Sequence, residues 1–242
     1  MQLKIMTFNI HHGKGTDGQL NLRRITDLIK TQQADLIGLN EVDRNFSKRS
    51  DNVDQISSIA DQLPMDYAYG PALSLKTKSS AMNRQYGNAL LSQHPITFIN
   101  NYRLRFRVVE DRALLETKIL IGEQPVKVYV THLSLDPLTH KQQTKFILKT
   151  VQRESLPVII LGDWNMRPRS KSWHLITAYL QDAWAQNGEG DGHTYPSYRP
   201  HARLDYIFLS HHFQVKWTNV VYDNPEASDH LPVVATVNTH FC

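Results

Sequence analysis

The sequence predicts an α/β (α+β) protein in which residues 1–242 form one domain. Segments with the two-residue period of strands alternate with segments that have the 3.6-residue period of helices. Four consecutive predicted strands fill the middle of the chain, so at least part of the sheet is antiparallel. No low-complexity tract or linker interrupts the chain, and one domain is therefore the simplest account of its length.

The first part of the chain alternates strands with helices. Residues 3–10 alternate apolar and polar side chains and are rich in β-formers, so they predict a strand, and residues 35–39 predict a second one. Apolar residues between positions 22 and 29 have helical spacing. A second helical pattern covers residues 53–63 and stops at Pro64, which cannot continue a helix.

The rest of the chain begins with the four middle strands, which short turn sequences separate. We place these strands at residues 86–92, 96–104, 113–121 and 126–133. A helix over residues 138–153 follows, and the apolar run 157–161 predicts a buried strand with another helix after it. The remaining predicted strands cover residues 204–209, 213–222 and 231–237, and a loop rich in glycine and proline covers residues 188–200.

Composition and charge limit the kinds of partner and site that the chain can have. The chain has 40% apolar and 21% charged residues, as ordinary globular proteins do, and its formal net charge of +4 favours phosphate-bearing partners without requiring nucleic acid. Cys242 is the only cysteine, which excludes an internal disulfide and a thiolate metal site. The sequence has no signal peptide and no apolar run long enough to cross a membrane, so we expect a soluble, cytoplasmic monomer.

Polar side chains recur where the predicted strands end. Strand ends of packed sheets converge, so we expect these side chains to share a pocket. They are Asn9, Glu41, His132, Asp163, Asn165, Asp205, Asp229 and His230. Carboxylates and amides without thiolates suit a hard cation such as Mg²⁺, with Mn²⁺ as the alternative, and the two histidines add an acid and a base.

Each of these positions also has an ordinary structural explanation. Asp163 and Asn165 stand two residues apart at a strand end, so both would point toward one phosphate beside a metal, but a simple turn explains Gly-Asp-x-Asn equally well. A strand-end cap explains Asn9, and a core histidine explains His132. Asp205 is harder to explain away, because a charge inside an apolar strand is costly unless it is paired, and the sequence offers His230 as its partner.

Seven motifs in order resemble those of the endonuclease/exonuclease/phosphatase superfamily, and they cover nearly the entire chain. They are Thr7-Phe8-Asn9, Asn40-Glu41-Val42-Asp43, Tyr86-Gly87-Asn88-Ala89-Leu90-Leu91-Ser92, Thr131-His132-Leu133, Gly162-Asp163-Trp164-Asn165, Leu204-Asp205-Tyr206-Ile207 and Ser228-Asp229-His230-Leu231-Pro232-Val233. The resemblance implies a four-layer αββα sandwich, in which two mainly antiparallel sheets pack face to face with helices outside and the site lies at one edge.

The resemblance also implies roles for the residues around the metal and the water. Glu41 resembles the principal metal-binding carboxylate of the superfamily, with Asn9 and Asp229 nearby in the same role. Asp163 would orient or activate the attacking water, and Asn165 would hold a phosphate oxygen.

The histidines resemble two further parts of the superfamily site. His230, paired with Asp205, resembles the histidine that acts as base or contacts the phosphate, and His132 resembles the second histidine of the deoxyribonuclease and phosphatase branches. Which of the two is the base stays open. His11 stands where apurinic endonucleases tend to have an acid, so its contact with a metal also stays open, and plain loop histidines explain the His11-His12 pair as well.

Further residues are candidates for substrate contact. Arg84 and Tyr86 lie where superfamily members place a phosphate-contacting side chain, although the alignment there is loose by a residue or two and a solvated loop explains Arg84 as well. We expect Arg112 near the pocket, and Arg44 and Arg49 either on the substrate or on the surface.

We therefore expect a Mg²⁺-dependent hydrolase of phosphate esters that acts on phosphodiesters, and the net positive charge slightly favours a nuclease. The residues that could follow a nucleic-acid backbone are Lys76, Lys78, Arg84, Arg167, Arg169 and Lys171. One alternative is a phosphatase or phosphodiesterase of inositol phosphates or phospholipid headgroups. A further alternative is a phosphate-binding module without catalysis, which we disfavour because every acid and histidine of the set is present.

Overall fold

Two six-stranded sheets form the centre of the protein in a computed structural model that describes residues 1–76, 82–106 and 110–240. Lys78 and Cys242, which entered the predictions above, lie outside the described residues. Within the described ranges, no helix is both long and apolar enough to span a membrane.

Twelve strands and five α-helices follow one another along the described residues. The strands are β1 (Gln2–Asn9), β2 (Leu36–Arg44), β3 (Asp66–Leu75), β4 (Arg84–Ser92), β5 (Ile96–Leu104), β6 (Arg112–Ile121), β7 (Gln124–His132), β8 (Val158–Asp163), β9 (Gln181–Asp182), β10 (Asp205–Leu209), β11 (Phe213–Val220) and β12 (Val233–Thr239). The helices are α1 (Leu22–Gln32), α2 (Gln55–Ala60), α3 (Pro137–Val151), α4 (Lys171–Thr177) and α5 (Ala183–Asn187).

The first sheet has the strand order β11-β12-β1-β2-β4-β3. Strands β1 and β2 are parallel, with α1 in the connection between them, and the other pairs in this sheet are antiparallel. Asn9 and Asn40 are partners in the parallel pair, so the residues that follow them reach the same end of the sheet.

The second sheet has the strand order β5-β6-β7-β8-β10-β9. Here β7 and β8 are the parallel pair, with α3 in their connection, and the other pairs are antiparallel. Asp163 is the partner of His132 on one side and of Asp205 on the other. The register therefore places three predicted site residues side by side on adjacent strands.

Three apolar clusters hold the layers together. Leu3 and Leu90 of the first sheet and Val128 and Leu161 of the second belong to the cluster between the sheets. A second cluster joins the outer face of the first sheet to α1 and α2, and a third joins the outer face of the second sheet to α3 and α4. This arrangement of helices, two mainly antiparallel sheets and helices confirms the four-layer αββα sandwich.

The predicted strands and the longer helices are present, with end positions that differ by a few residues. The sequence patterns missed β3, an edge strand that contains Pro71 and a register shift between Pro71 and Leu73. A proline and a bulge are tolerated at a sheet edge, but they break the alternation that identifies a strand. The short elements β9 and α5 were also missed, because a few residues carry no clear period.

Candidate active site

The ends of the two parallel strand pairs border a cavity of about 600 Å³. Most of the predicted site residues line this cavity. They are Glu41, Tyr86, Arg112, His132, Asp163, Asn165, Asp229 and His230. Asn9 and Asp205 lie directly behind them, each with only 1% of its surface exposed, and both hydrogen-bond to residues of the cavity wall.

Asp163 ends β8 at the centre of the site. Gly162, just before it, has a φ of +146°, and a Cβ at this position would lie 1.8 Å from the Thr131 carbonyl oxygen. Only glycine therefore lets β8 approach β7 closely enough to put Asp163 beside His132. The Asp163 Oδ2 atom accepts a hydrogen bond from Asn9 Nδ2 at 3.1 Å, and it lies 3.4 Å from His132 Nε2.

Asn165 lies just beyond β8 with a φ of +47°, a left-handed backbone conformation. The Asn165 backbone N–H donates to Asp163 Oδ1 at 2.9 Å, while its side-chain Nδ2 donates to the Leu133 carbonyl oxygen at the same distance. These bonds turn the chain so that both side chains border the cavity, as their spacing in the sequence predicts.

His230 pairs with Asp205 as the sequence predicts. The distance from His230 Nδ1 to Asp205 Oδ2 is 2.8 Å, and the Thr194 hydroxyl donates to the same carboxylate oxygen at 2.6 Å. The other ring nitrogen of His230, Nε2, lies 3.7 Å from Asp163 Oδ2. Asp205 therefore orients the imidazole from behind, and Asp163 faces it from within the cavity.

Burial and charge give the two central groups unusual protonation behaviour. Burial raises the pKa of the Asp163 carboxyl to about 7, with the charge of His230 opposing and that of Asp205 adding to this effect. Burial by itself lowers the pKa of His230, but the carboxylates of Asp205 and Asp163 outweigh it and raise the value to about 10. At neutral pH the protein thus holds a cationic imidazole beside a carboxyl group that can gain or lose its proton.

The pKa of His132 is shifted in the opposite direction to that of His230. The Nδ1 atom of His132 lies 3.3 Å from the Arg112 guanidinium, and its Nε2 lies 3.1 Å from Asn165 Nδ2. Burial, and next the positive charge of Arg112, hold the pKa of His132 well below its usual value. The neutral ring therefore accepts from Arg112 at Nδ1 and carries its proton on Nε2, which faces Asp163 Oδ2 at 3.4 Å. Arg112 is itself held by an ion pair with Glu110 at 2.9 Å.

Glu41 projects from a bulge in β2. The pairing of β2 with β4 shifts between Leu39 and Val42, and Glu41 has a left-handed φ of +58°. Its Oε1 accepts a hydrogen bond from Asn9 Nδ2 at 3.2 Å, which makes Asn9 a bridge between the carboxylates of Glu41 and Asp163. Bulges and left-handed residues of this kind often direct a side chain into a functional site.

The carboxylates of Glu41 and Asp229 fit a divalent cation. Burial raises the pKa of Glu41, and the charge of Asp229 raises it further, so the two acids repel each other in the metal-free protein. A bound cation would relieve this repulsion through the hard oxygen ligands that Mg²⁺ prefers. Asn9 stays a predicted ligand, although its Oδ1 accepts a hydrogen bond from the His11 backbone N–H at 3.1 Å.

Asp163, Asp205 and His230 also bring potential ligand atoms within 4.8 Å of one another. This second acidic group fits a cation less well than Glu41 and Asp229 do. A histidine with a pKa raised to about 10 is protonated at neutral pH and has no free ring nitrogen for a metal. Asp205, moreover, is engaged by His230 and Thr194. This group is therefore better suited to hold and move a proton than to bind a metal.

Two buried asparagines join the sheets below the cavity, and neither was among the predicted site residues. Asn40 Nδ2 donates to Asn88 Oδ1 and to the Thr131 carbonyl oxygen, both at 2.9 Å, while Asn40 Oδ1 accepts from the Asp163 backbone N–H at 2.9 Å. Asn88 Nδ2 donates to the Ala113 carbonyl oxygen at 3.0 Å. Asn40 therefore fixes the backbone of Asp163 from the opposite sheet.

The candidate substrate contacts divide into two groups. Arg112 and Tyr86 line the cavity, and so does Arg49, which makes two hydrogen bonds to the buried Asp43 carboxylate at 2.8 and 2.7 Å. Arg44 and Arg84 do not line it. Arg44 pairs with Asp54 at 2.8 Å, and Arg84 donates to the Phe46 carbonyl oxygen.

Several other cavity residues were outside the predicted set. They include the aromatic residues Phe46 and Tyr195, the apolar residues Leu73, Leu135 and Leu204, and the acid Glu110. Tyr195 packs against His230 with a ring-centre distance of 4.8 Å. Leu204 belongs to one of the quoted motifs, but no period or motif identifies the others, because they come from loops and an edge strand that the fold brings together.

Comparisons with known proteins agree with this geometry. A family model described as the Endonuclease/Exonuclease/phosphatase family matches residues 6–230 of the chain. The uncharacterized protein YbhP of Escherichia coli (strain K12) is 24% identical over 256 aligned positions, which cover 97% of this chain and 96% of YbhP.

Solved structures with the same architecture include two that cover 98% of this chain. An endonuclease/exonuclease/phosphatase from Beutenbergia cavernae DSM 12333 superposes with a TM-score of 0.82 at 24% identity, over 72% of its own chain. The mannosyl-6-phosphatase Bt3783 of Bacteroides thetaiotaomicron VPI-5482 superposes with a TM-score of 0.76 at 17% identity, over 99% of its chain. At these identities the likeness is one of fold.

Proposed function

This chain belongs to the endonuclease/exonuclease/phosphatase family, and we propose that it hydrolyses phosphate esters with the help of a divalent cation. One observation carries the proposal. The Asp163 carboxylate borders the cavity within 3.7 Å of both His132 Nε2 and His230 Nε2. This places a proton acceptor next to donors that can hold a phosphate, which is what attack of water on phosphorus requires.

Glu41, Asn9 and Asp229 would hold the cation, which we propose is Mg²⁺, with Mn²⁺ as the alternative. Members of the family typically use a divalent metal, and the oxygen donors of this set support the proposal. When bound, the cation supplies positive charge that offsets the negative charge of the phosphate during attack. Asn9 also has a positioning role, since it keeps the carboxylates of Glu41 and Asp163 at hydrogen-bond distance from one amide group.

Asp163 takes the proton of the attacking water in this proposal. Its raised pKa, near 7, matches the range in which a general base works at neutral pH. The cationic His230 donates a hydrogen bond to a phosphate oxygen, and Asp205 keeps its ring in place. Asn165 binds a second phosphate oxygen through the amide hydrogen that Leu133 does not use, while the neutral His132 orients Asp163 through its Nε2–H.

Phosphodiesters, including nucleic acids, are the first substrate class we propose, because the net charge of +4 favours polyanions. Small phosphomonoesters or phosphorylated headgroups are the second, and a specific observation favours them. Arg167, Arg169 and Lys171, which could follow a nucleic-acid backbone, are exposed and do not line the cavity. The fold neighbour that is a mannosyl-6-phosphatase gives this second class a concrete member to test.

The proposed function is tested by hydrolysis of bis(p-nitrophenyl) phosphate with added Mg²⁺ or Mn²⁺ and with a chelator. Turnover should require the cation, and Glu41→Ala and His230→Ala should lower the rate by about 10²-fold or more. Matched controls are Glu123→Ala and His211→Ala, which change exposed residues outside the cavity and should leave the rate unchanged. Equal turnover in the chelator-treated and cation-loaded protein would contradict the proposal.

A substrate panel then separates the two classes. Plasmid DNA, RNA and an oligonucleotide with an abasic site represent the diesters, and mannose 6-phosphate and an inositol polyphosphate represent the monoesters. Inhibition of diester hydrolysis by rising salt would indicate a polyanionic substrate. A folded protein that binds these compounds without turnover on any of them would instead be a phosphate-binding module.

A further inference from the structure

His11 and His12 place two imidazoles beside Glu41. Potential ligand atoms of the three side chains lie within 4.8 Å of one another, and all three residues line the cavity. The two rings meet edge to face with their centres 4.5 Å apart. Asp229 extends the group, since its Oδ1 lies 3.9 Å from His11 Nδ1. The acids proposed to hold the cation are therefore accompanied by nitrogen donors.

Specific contacts fix the backbone of the loop that carries His11 and His12. His11 and His12 have φ values of +44° and +45°, so both adopt the left-handed conformation that side chains rarely occupy. Gln55 donates to the His12 carbonyl oxygen at 2.6 Å and accepts from the Asp43 backbone N–H at 2.9 Å. This buried glutamine ties the loop that carries the histidines to the strand that carries Glu41.

The His12 ring offers a nitrogen that no hydrogen bond of the described residues occupies. The His12 Nδ1 atom is buried without a hydrogen-bond partner among the described residues. The nearby positive charge of Arg49 is compensated by its two hydrogen bonds to Asp43. Hydrogen bonding at Nδ1 within the described residues therefore does not account for the placement of this ring.

We infer that His11 and His12 complete, with Glu41 and Asp229, a mixed nitrogen and oxygen site that binds Mn²⁺ and similar transition cations in preference to Mg²⁺. Imidazole is a ligand for transition metals, whereas Mg²⁺ takes oxygen ligands almost exclusively. The inference rests on the proposed function and deepens it, because it concerns the same cation and favours the Mn²⁺ alternative over Mg²⁺.

The inference is tested on metal-free protein without substrate. Isothermal titration should give Mn²⁺ an affinity at least about tenfold higher than that of Mg²⁺. Electron spin echo envelope modulation of the Mn²⁺ complex should contain the ¹⁴N couplings of directly bound imidazole. In the double variant His11→Gln/His12→Gln, both the ¹⁴N couplings and the preference for Mn²⁺ should be lost, while Mg²⁺ still binds.

His211→Gln/His212→Gln is the matched control, because these adjacent histidines are exposed and outside the cavity. This control should keep the ¹⁴N couplings and the Mn²⁺ preference. Absence of ¹⁴N couplings in the wild type, or their persistence in a folded His11→Gln/His12→Gln variant, would overturn the inference. If the double variant does not fold, the inference is tested on the ¹⁴N couplings of the wild type and on their change in the single variant His12→Asn. Absence of couplings in the wild type, or unchanged couplings in this variant, would overturn it.

The binding measurements are independent of turnover. Imidazole coordination in a protein without phosphoesterase activity would support the inference and contradict the proposed function. Cation-dependent hydrolysis in a protein whose Mn²⁺ complex lacks ¹⁴N couplings would support the proposed function and overturn the inference.

Discussion

The Nδ1 atom of His230 lies 2.8 Å from the Oδ2 atom of Asp205, and both side chains are almost completely buried. Asp205 begins β10 of the second sheet, and His230 lies in the loop before β12 of the first sheet, so the pair links the two sheets. Because Asp205 supports the positive charge on His230, the proposed phosphate contact depends on a residue that does not itself line the cavity.

Asp205→Asn tests this dependence. Removing the negative charge should lower the pKa of His230 from its raised value, which histidine NMR titration measures, and should reduce turnover by about 10²- to 10⁴-fold. Asp191→Asn, which changes an exposed loop aspartate, is the control. An unchanged His230 titration in the Asp205 variant would contradict the role of this pair.

The same pair predicts a pH dependence of stability in the metal-free protein. The pKa of His230 is raised from 6.5 to about 10 by folding, so its contribution is complete below pH 6.5 and is lost as pH rises toward 10. The free energy of unfolding of wild type should exceed that of Asp205→Asn by roughly 1–3 kcal/mol at pH 6. Urea titrations at pH 6, 8 and 10 should find that this difference shrinks as pH rises, and a constant difference would contradict the assignment.

Asn40→Ala tests the link between the sheets. The substitution removes the partner of the Asp163 backbone N–H and of Asn88 Oδ1, both of which stay buried. Each buried group left unpaired costs roughly 1–3 kcal/mol, so urea unfolding should detect a loss of at least this size. Turnover should fall as well, since Asp163 is no longer held in place. Asn219→Ala on the exposed face of β11 is the control and should change neither quantity.

Glu41→Gln separates metal binding from folding. Burial and the charge of Asp229 raise the pKa of Glu41, so above this pKa the ionised carboxylate destabilises the metal-free protein. The neutral glutamine can still accept the hydrogen bond from Asn9, and the variant should therefore melt at a higher temperature than wild type in chelator at pH 8. Added Mn²⁺ should raise the melting temperature of wild type far more than that of the variant. An equal response of both proteins to Mn²⁺ would indicate that Glu41 is not a ligand.

The sequence could predict the central residues of the site because strand pairing brings them together. His132, Asp163 and Asp205 stand at the ends of adjacent strands, and their register follows from the strand order of the fold. The pairing of Asp205 with His230 was also predictable, since a carboxylate in an apolar strand needs a partner.

Other features depend on packing that no local pattern encodes. Asn40 and Asn88 were visible within the motifs, but their hydrogen bonds cross from one sheet to the other, and only the sandwich brings those groups together. Arg84 was a candidate for the substrate because of its position in the sequence, whereas its side chain turns toward the Phe46 carbonyl oxygen. The edge strand β3 was missed because Pro71 and a bulge interrupt its alternation.

In the proposed reaction Asp163 accepts the proton of the attacking water. The most direct test is the single-turnover rate of bis(p-nitrophenyl) phosphate hydrolysis by wild type and Asp163→Asn, both saturated with Mn²⁺ and both shown to be folded. We predict a loss of about 10²-fold or more in the variant, with the wild-type rate rising through an ionisation that the variant lacks. A variant that hydrolyses the diester at the wild-type rate and with the same pH profile would contradict it.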